Sequence, residues 1–501
     1  MLYAGAFRLL TINRPFEYDD EATGCFYGIM ARNYLRFPWA RTLGMPVLTA
    51  GTAAQKQLVF YRDHPPLVPL AIAPVYAVAG VGAWQTRLPT SAATVAAVIV
   101  LYLLLKRAAT PRSAILGAAL FAAAPMNLYF GGMPEVVGMP LVPFALLTVM
   151  AYLEFHRAPR ATAFALLAAA FALAAASDWP AFVLVPVLVA HFAVTRPRRD
   201  WPWMAAFGGV ACLLFAVLYV YITVATDSPW DWMVPIFKWR SAIGVKAPFT
   251  MPGWLRTALI FNISRHTAPL MLAAGVWTVT TGLAIRRAPP GATVARILLA
   301  WGVLFALIGR QGVYNHEWWW WPLSPGLATA AALFVDDVVG VAERVRLGID
   351  ARLAAGTVVA AFMLWTAVVS WRELYPRGQS DFFTTTELGS AIRAAAPEPD
   401  DLALLVWEGE DPQLWFYGDR PLKSDVWSIA DFERRQRDRY SDLAFRYLQP
   451  SSTPGAGLVF PTAYRLSLRP LHEYLSARYP RIALPPDLAR WFDVFDLRHP
   501  I

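Results

Sequence analysis

Phe16-Glu17-Tyr18-Asp19-Asp20-Glu21 sets three consecutive carboxylates in a chain otherwise dominated by apolar runs too long for a soluble core. Acids are scarce through the rest of the first half. Like charges this close cannot all ionise without cost, so one pKa should rise unless a metal or a cation offsets the repulsion. A general base or a metal-ligand set is built this way. On an ordinary surface the same residues would read as a solvated acidic loop. Here the cluster directly follows an apolar start, which places it just outside a membrane, where it can do acid–base or metal chemistry.

Composition supports that setting. Of 501 residues 57% are hydrophobic and 16% charged, with a mean hydropathy of +0.41. Soluble domains run nearer a quarter charged. The net charge of +9 is mostly arginine and reads as membrane topology, because basic residues collect in cytoplasmic loops. No basic run is interleaved with aromatics in the way that binds nucleic acid, which excludes that partner. Cys25 lies beside the acidic cluster and Cys212 inside an apolar run, so neither a disulfide nor a zinc site is expected.

Residues 1–15, interrupted by Arg8, are too short to cross about 30 Å of hydrocarbon. They read as the stub of a first helix or as an interfacial segment, and not as a cleavable signal peptide. Spans follow near 87–105, 112–130, 135–155, 161–176, 179–194, 203–226, 266–285, 293–310, 318–335 and 352–371. The expected fold is an all-α polytopic membrane protein with about ten or eleven transmembrane helices. Its domain runs over 1–374, with an outer loop of interfacial helices over about 16–86. Residues 375–501 are mixed in pattern, with strand-like runs at 402–407 and 458–460 between helical stretches. They read as a small α/β domain without a phosphate-binding glycine loop.

Charge alternation assigns sides. Lys106/Arg107/Arg112, Arg157/Arg160, Arg196/Arg198/Arg199, Arg286/Arg287/Arg296 and Arg344/Arg346/Arg352 fall in alternate loops, which makes that side cytoplasmic. Glu135, Asp178, the 227–265 segment and Asn315-His316-Glu317 fall in the others, with the tail. Asp19–Glu21 join them only if 66–83 does not cross the bilayer. The prolines at 66, 69 and 74 and the glycines at 80 and 82 favour a surface or re-entrant segment.

Further candidates sit on this outer side. His64-Pro65-Pro66 is a rigid entry into a helix beside Arg62 and Asp63, and reads equally as a capping turn or a ligand. Glu135 follows Gly131-Gly132-Met133-Pro134 and is either a functional acid or a helix-dipole partner. Asp178, ahead of Trp179-Pro180, has a plain alternative as a helix cap. Arg265, His266, Arg310 and His316 could meet an anionic headgroup, because arginine forks match phosphate geometry. Trp318–Trp321 read as an interfacial belt more readily than as a sugar platform.

The order of these motifs resembles a known group. An acidic pair follows a first helix, then come Ala31-Arg32-Asn33, His64-Pro65-Pro66-Leu67, an Arg-led span, and an acid after the third helix. This is similar to the GT-C membrane glycosyltransferases, specifically relatives of protein O-mannosyltransferases and the lipid A aminoarabinose transferase. The resemblance covers roughly 16–335 and is strongest over 16–140. It implies a polyprenyl-phosphate-linked sugar donor and an extracytoplasmic acceptor. It implies Asp20, with Glu21 as alternative, as the acid that activates the acceptor, Glu135 as the second acid, and a plasma-membrane setting, here that of a bacterium. Asp19, His64, Asp178, Arg265, His266, Arg310 and His316 are the expected substrate contacts. Metal dependence varies across these families, so a divalent metal stays open and no other cofactor is implied. The competing class, a lipid-linked sugar flippase or a membrane scaffold, calls for internal repeats or mid-span acids. The chain shows no repeat, and its acids cluster at loop–helix junctions.

Overall fold

Backbone polar groups in hydrocarbon have no water to bond, so apolar runs of this length must close their hydrogen bonds within a helix. The computed structural model describes residues 2–17, 21–52, 58–134, 140–281, 288–345, 350–374, 384–409, 411–437 and 455–501. Asp19, Asp20 and Glu135 lie outside these. Among the described residues, five helices are long and apolar enough to cross a bilayer: Ala83–Ala108, Arg198–Ala225, Pro290–Ile308, Glu317–Arg344 and Ala351–Leu374. Shorter apolar helices include Pro111–Ala123, Ala161–Ser177, Pro180–Thr195 and Ala268–Thr281. At about 1.5 Å per residue, even the 16- and 17-residue members reach only about 24–26 Å. Leu67–Ala79, the segment expected not to cross, is a helix of 13 residues.

The chain divides into two units. The first holds residues 1–13, 63–68 and 87–374; the second holds 14–62, 69–86 and 375–501. The sequence division placed the whole loop 16–86 with the membrane helices. Most of it instead packs with the tail, as the contacts of Arg32 described below show.

Within the first unit, local chemistry sets the helix boundaries. The expected span 112–130 breaks at Ala124, whose extended ψ of 131° is what a residue before proline adopts. Pro125 has no N–H to give the carbonyl of Phe121, four residues back. The Asn127 amide donates to that carbonyl instead, and the Asn127 Oδ1 accepts from Trp321 Nε1 at 2.7 Å. Close packing depends on two glycines. A Cβ on Gly302 would meet the Leu323 Cα at 2.5 Å, and one on Gly326 would meet the Leu299 backbone nitrogen at 2.7 Å. Small residues at such crossings let helix backbones approach, which is how membrane helices gain packing without a solvent-driven force.

The second unit is built on a four-stranded sheet in the order β2-β1-β3-β4, with β1 Leu402–Leu405, β2 Leu422–Lys423, β3 Gly455–Pro461 and β4 Phe492–Asp496. β1 pairs parallel with both β2 and β3, and β4 runs antiparallel to β3. The helix Thr385–Ala395 opens with a capping box between Thr384 and Glu387. The apolar side chains of Leu404, Leu458, Phe460 and Phe495 form the core. The Ala31-Arg32-Asn33 motif works structurally here. Buried Arg32 donates to the Phe416 carbonyl at 3.1 Å and pairs with Asp419 at 2.8 Å. Burial lowers its pKa to about 10, against the opposing pull of Asp419. The Asn33 amide clamps the carbonyls of Val47 and Thr49.

Candidate functional site

The prolines after His64 and the proline after Trp179 fix two chain entries so that His64 and Asp178 meet. His64 Nδ1 lies 2.6 Å from Asp178 Oδ1, and both residues are buried. An ionised carboxylate only accepts, so Nδ1 carries the proton. Trp179 N donates to the same oxygen at 2.8 Å, while the helix Pro180–Thr195 has no side-chain cap. Asp178 is therefore spent on His64 rather than on capping. Its second oxygen is buried with no hydrogen-bond partner among the described residues.

This pair borders a cavity of about 610 Å³ within the first unit. Phe182, Val183, Phe215, Tyr219, Ile236, Phe305 and Ile308 are among the apolar residues of its wall; Asp63, Lys238 and Arg240 supply its other charged groups. The volume and the few convergent polar groups are those of a ligand pocket. Arg240 reaches Asp63 at 3.4 Å and lies 5.0 Å over the Trp319 ring, a cation–π geometry that fixes its direction. Trp179 Nε1 donates to the Asp63 carbonyl at 2.8 Å.

The other expected contacts are distributed differently. Arg265 gives one nitrogen to Glu317 and one to Glu373, each at 2.5 Å, and stacks 4.2 Å over Tyr129. Burial alone would lower its pKa, but the two carboxylates hold it above its ordinary value. His266 is fully buried between Asn262 at 3.0 Å and Ser324 at 2.7 Å. His316 rests 4.7 Å from the Trp318 ring; burial and then the Arg240 charge push its pKa down to about 4. Arg310 opens a short helix, its carbonyl accepting from Trp254 Nε1, and does not border the cavity. Trp319, Trp320 and Trp321 are buried rather than spread as a surface belt. Trp320 and Trp321 have their indole N–H groups bonded, and Trp319 lines the cavity.

Of the acidic cluster, Glu17 and Glu21 are described. Glu21 is 2% exposed, pairs with Arg14 at 3.4 Å and accepts from Glu17 N at 3.0 Å. Glu17 carries the like-charge effect: burial, then the charge of Glu21, raise its carboxyl above the ordinary range. Among the described residues, no group of three or more His, Cys, Asp or Glu is arranged to hold a metal ion.

Comparison with known proteins gives this geometry a frame. Residues 63–225 match the family described as dolichyl-phosphate-mannose-protein mannosyltransferase, about a third of the chain. The structure of ArnT from Cupriavidus metallidurans bound to undecaprenyl phosphate aligns over 98% of this chain and 96% of that one, with a TM-score of 0.64 and 16% identity. The fold is that of the GT-C glycosyltransferases. A second GT-C neighbour is the oligosaccharyltransferase AglB from Archaeoglobus fulgidus in complex with an inhibitory peptide and a dolichol-phosphate. It has a TM-score of 0.54 and 11% identity, over 95% of this chain and 71% of that one. No curated protein matches the sequence.

The matched range within the GT-C frame holds Asp63, His64 and Asp178, and neither the 16–21 cluster nor Arg265. The sequence reading missed Lys238, Arg240 and Trp319 as cavity residues. Phe237-Lys238-Trp239-Arg240 does carry a signal, two cations interleaved with aromatics, but without periodicity it reads as loop.

Proposed function

We propose that the protein transfers a sugar from a polyprenyl-phosphate donor to an extracytoplasmic acceptor hydroxyl, with inversion at the anomeric carbon. The observation that carries this is the cavity of about 610 Å³, whose apolar walls suit a prenyl chain and whose Lys238, Arg240 and His64 suit a phosphate. Undecaprenyl phosphate, the carrier that such a donor leaves behind, is bound in the ArnT neighbour. Sidedness rests on the alternation of basic loops, which leaves Asp178, the 227–265 segment and the tail outside.

In this reaction the acceptor oxygen attacks the anomeric carbon as the bond to the phosphate oxygen breaks. The electron pair leaves with polyprenyl phosphate, and Lys238 and Arg240 offset the charge that develops there. The acceptor proton passes to a carboxylate of the 19–21 cluster. Asp20 is the favoured base, since Glu21 is already committed to Arg14 and the Glu17 amide. His64, oriented by Asp178, donates to or accepts from the donor headgroup. Glu135 stays in the proposal as the second acid, and no step passes through a metal ion.

The test is release of free polyprenyl phosphate from labelled donor by membranes holding the protein. Lys238→Ala and Arg240→Ala should each raise the KM for donor, and Asp20→Asn should lower kcat by on the order of 10²–10⁴. Intact donor movement across the bilayer without release would favour a flippase and overturn the proposal. Full transfer by both Asp20→Asn and Glu21→Gln would remove the base assignment alone.

A further inference from the structure

One cluster outside the cavity joins chemistry that sugar transfer from a lipid donor does not use. It lies at one end of the small sheet. β1 stands between β2 and β3, and all three are parallel, so the chain leaves them at the same end. After β1 the chain goes on to β2, whereas after β3 it goes on to β4 on the opposite side. The connections therefore part beside β1, and in open α/β sheets ligands bind beyond the carboxyl ends of the strands at such a point.

The residues that emerge there are chemically specific. Trp407 and Glu408 leave β1, Asp425 and Trp427 leave β2, and Tyr464 leaves β3. The rings of Trp427 and Tyr464 meet at 5.7 Å and 66°, although β1 separates their strands, so the pair closes over the end of β1. The turn after β1 is clasped to the turn after β2. Asp425 N donates to the Trp407 carbonyl at 2.9 Å, and Gly409 N donates to Asp425 Oδ1 at 3.1 Å. Asp425 holds a φ of 63°, a conformation uncommon outside glycine that a surrounding structure must enforce. Trp407, Trp427 and Tyr464 each keep part of their surface open, and Glu408 is exposed.

Charge narrows the ligand. The described side chains at this edge bring the carboxylates of Glu408, Asp411 and Asp425. The cations adjacent to it in sequence are committed elsewhere: Lys423 is buried, and Arg465 forks onto Asp493 at 2.6 Å. Aromatic faces accept the apolar face of a sugar ring, and carboxylates accept hydrogen bonds from its hydroxyls. Three acids oppose a phosphate, sulfate or uronate. From this arrangement we infer that the carboxyl edge of the small sheet is a carbohydrate-binding site for a glycan that is uncharged or bears amino groups. None of these residues lines the donor cavity, and occupancy of the site is read by binding rather than by transfer.

The experiment is titration of the full chain in lipid nanodiscs with three probes: cellohexaose, a chitosan hexamer and a hyaluronan hexasaccharide. Cellohexaose or the chitosan hexamer should bind, and hyaluronan should not. Trp427→Ala should weaken binding by about tenfold and Trp427→Phe by much less, because the aromatic face is kept. Glu408→Gln should weaken it several-fold while leaving donor cleavage unchanged. If Trp427→Ala does not fold, the exposed Glu408→Gln carries the test. Binding of neither cellohexaose nor chitosan, equal binding of hyaluronan, or unchanged affinity in Glu408→Gln together with a folded Trp427→Ala would overturn the site. Loss of donor cleavage in the wild type would bear on the transfer proposal only.

Discussion

Asp178 divides its two oxygens unequally: one accepts from both His64 and Trp179, and the other is buried without a partner among the described residues. Such a group orients an imidazole and resists being emptied. Asp178→Asn keeps the shape but loses the charge that holds the proton on Nδ1, so donor cleavage should fall by on the order of 10² with expression intact. Asp178→Ala also strands the Nδ1–H group and should cost about 1–3 kcal/mol, read as a lower thermal midpoint in detergent. Equal activity of wild type and Asp178→Asn would leave the pair a structural clasp. Arg240 makes a second case. Because it stacks on Trp319, Arg240→Lys should not restore the donor KM lost in Arg240→Ala. His64 and Asp178 were legible as candidates from residue type and flanking prolines. Their partnership was not, since 114 positions separate them and only the fold brings them together. The same holds for Arg265 and Glu317, both singled out as polar residues in outer loops, whose pairing with each other and with Glu373 no spacing announces.

Single elements are fixed by chemistry that a sequence displays only in part. Proline starts were readable; the run expected to lie at the membrane surface is the 13-residue helix Leu67–Ala79. The break at Ala124 was not foreseen, because the apolar run continues through it and only the missing N–H of Pro125 marks it. Asn127→Leu should therefore orphan the Trp321 indole N–H, at about 1–3 kcal/mol, and leave the Phe121 carbonyl with only the 3.3 Å bond from Ala124 N. Gly326→Val would drive a branched carbon into the Leu299 backbone and cost about 1–3 kcal/mol by overpacking. Both are measured by thermal unfolding in detergent. In the small sheet, β4 ends in Asp496, whose pKa is lowered to about 2: burial raises it, but the bonds from Arg498 and His499 win. A depressed folded-state pKa stabilises above the unfolded value of about 4 and loses that contribution as pH falls toward 2. The tail's fluorescence-monitored midpoint should thus drop through that window, and Asp496→Asn should flatten the dependence. The strands β2 and β4 escaped the sequence reading because β2 has only two residues and the apolar residues of β4 are interrupted by Asp493, unlike the unbroken apolar run of β1.

For the whole molecule, the ordered motifs disclosed the fold class, while the family match falls on 63–225 rather than over the 16–140 stretch where the motifs stood closest together. Sidedness is the prediction that belongs to this scale. In a chain with Cys25 and Cys212 replaced by serine, Lys246→Cys should react with an impermeant thiol reagent from outside. Arg198→Cys should react only after the membrane is opened, and the reverse pattern would invert the proposed topology.

The helices Ala161–Ser177 and Pro180–Thr195 carry a consequence for the lipid around them. With roughly 24–26 Å of apolar length set against an average hydrocarbon thickness of about 30 Å, hydrophobic mismatch compels the surrounding leaflets to thin or the helix ends to snorkel. The proposed turnover and the melting temperature should both peak in vesicles of shorter acyl chains and decline as the chains lengthen, so that bilayer thickness becomes a tuning parameter of the protein.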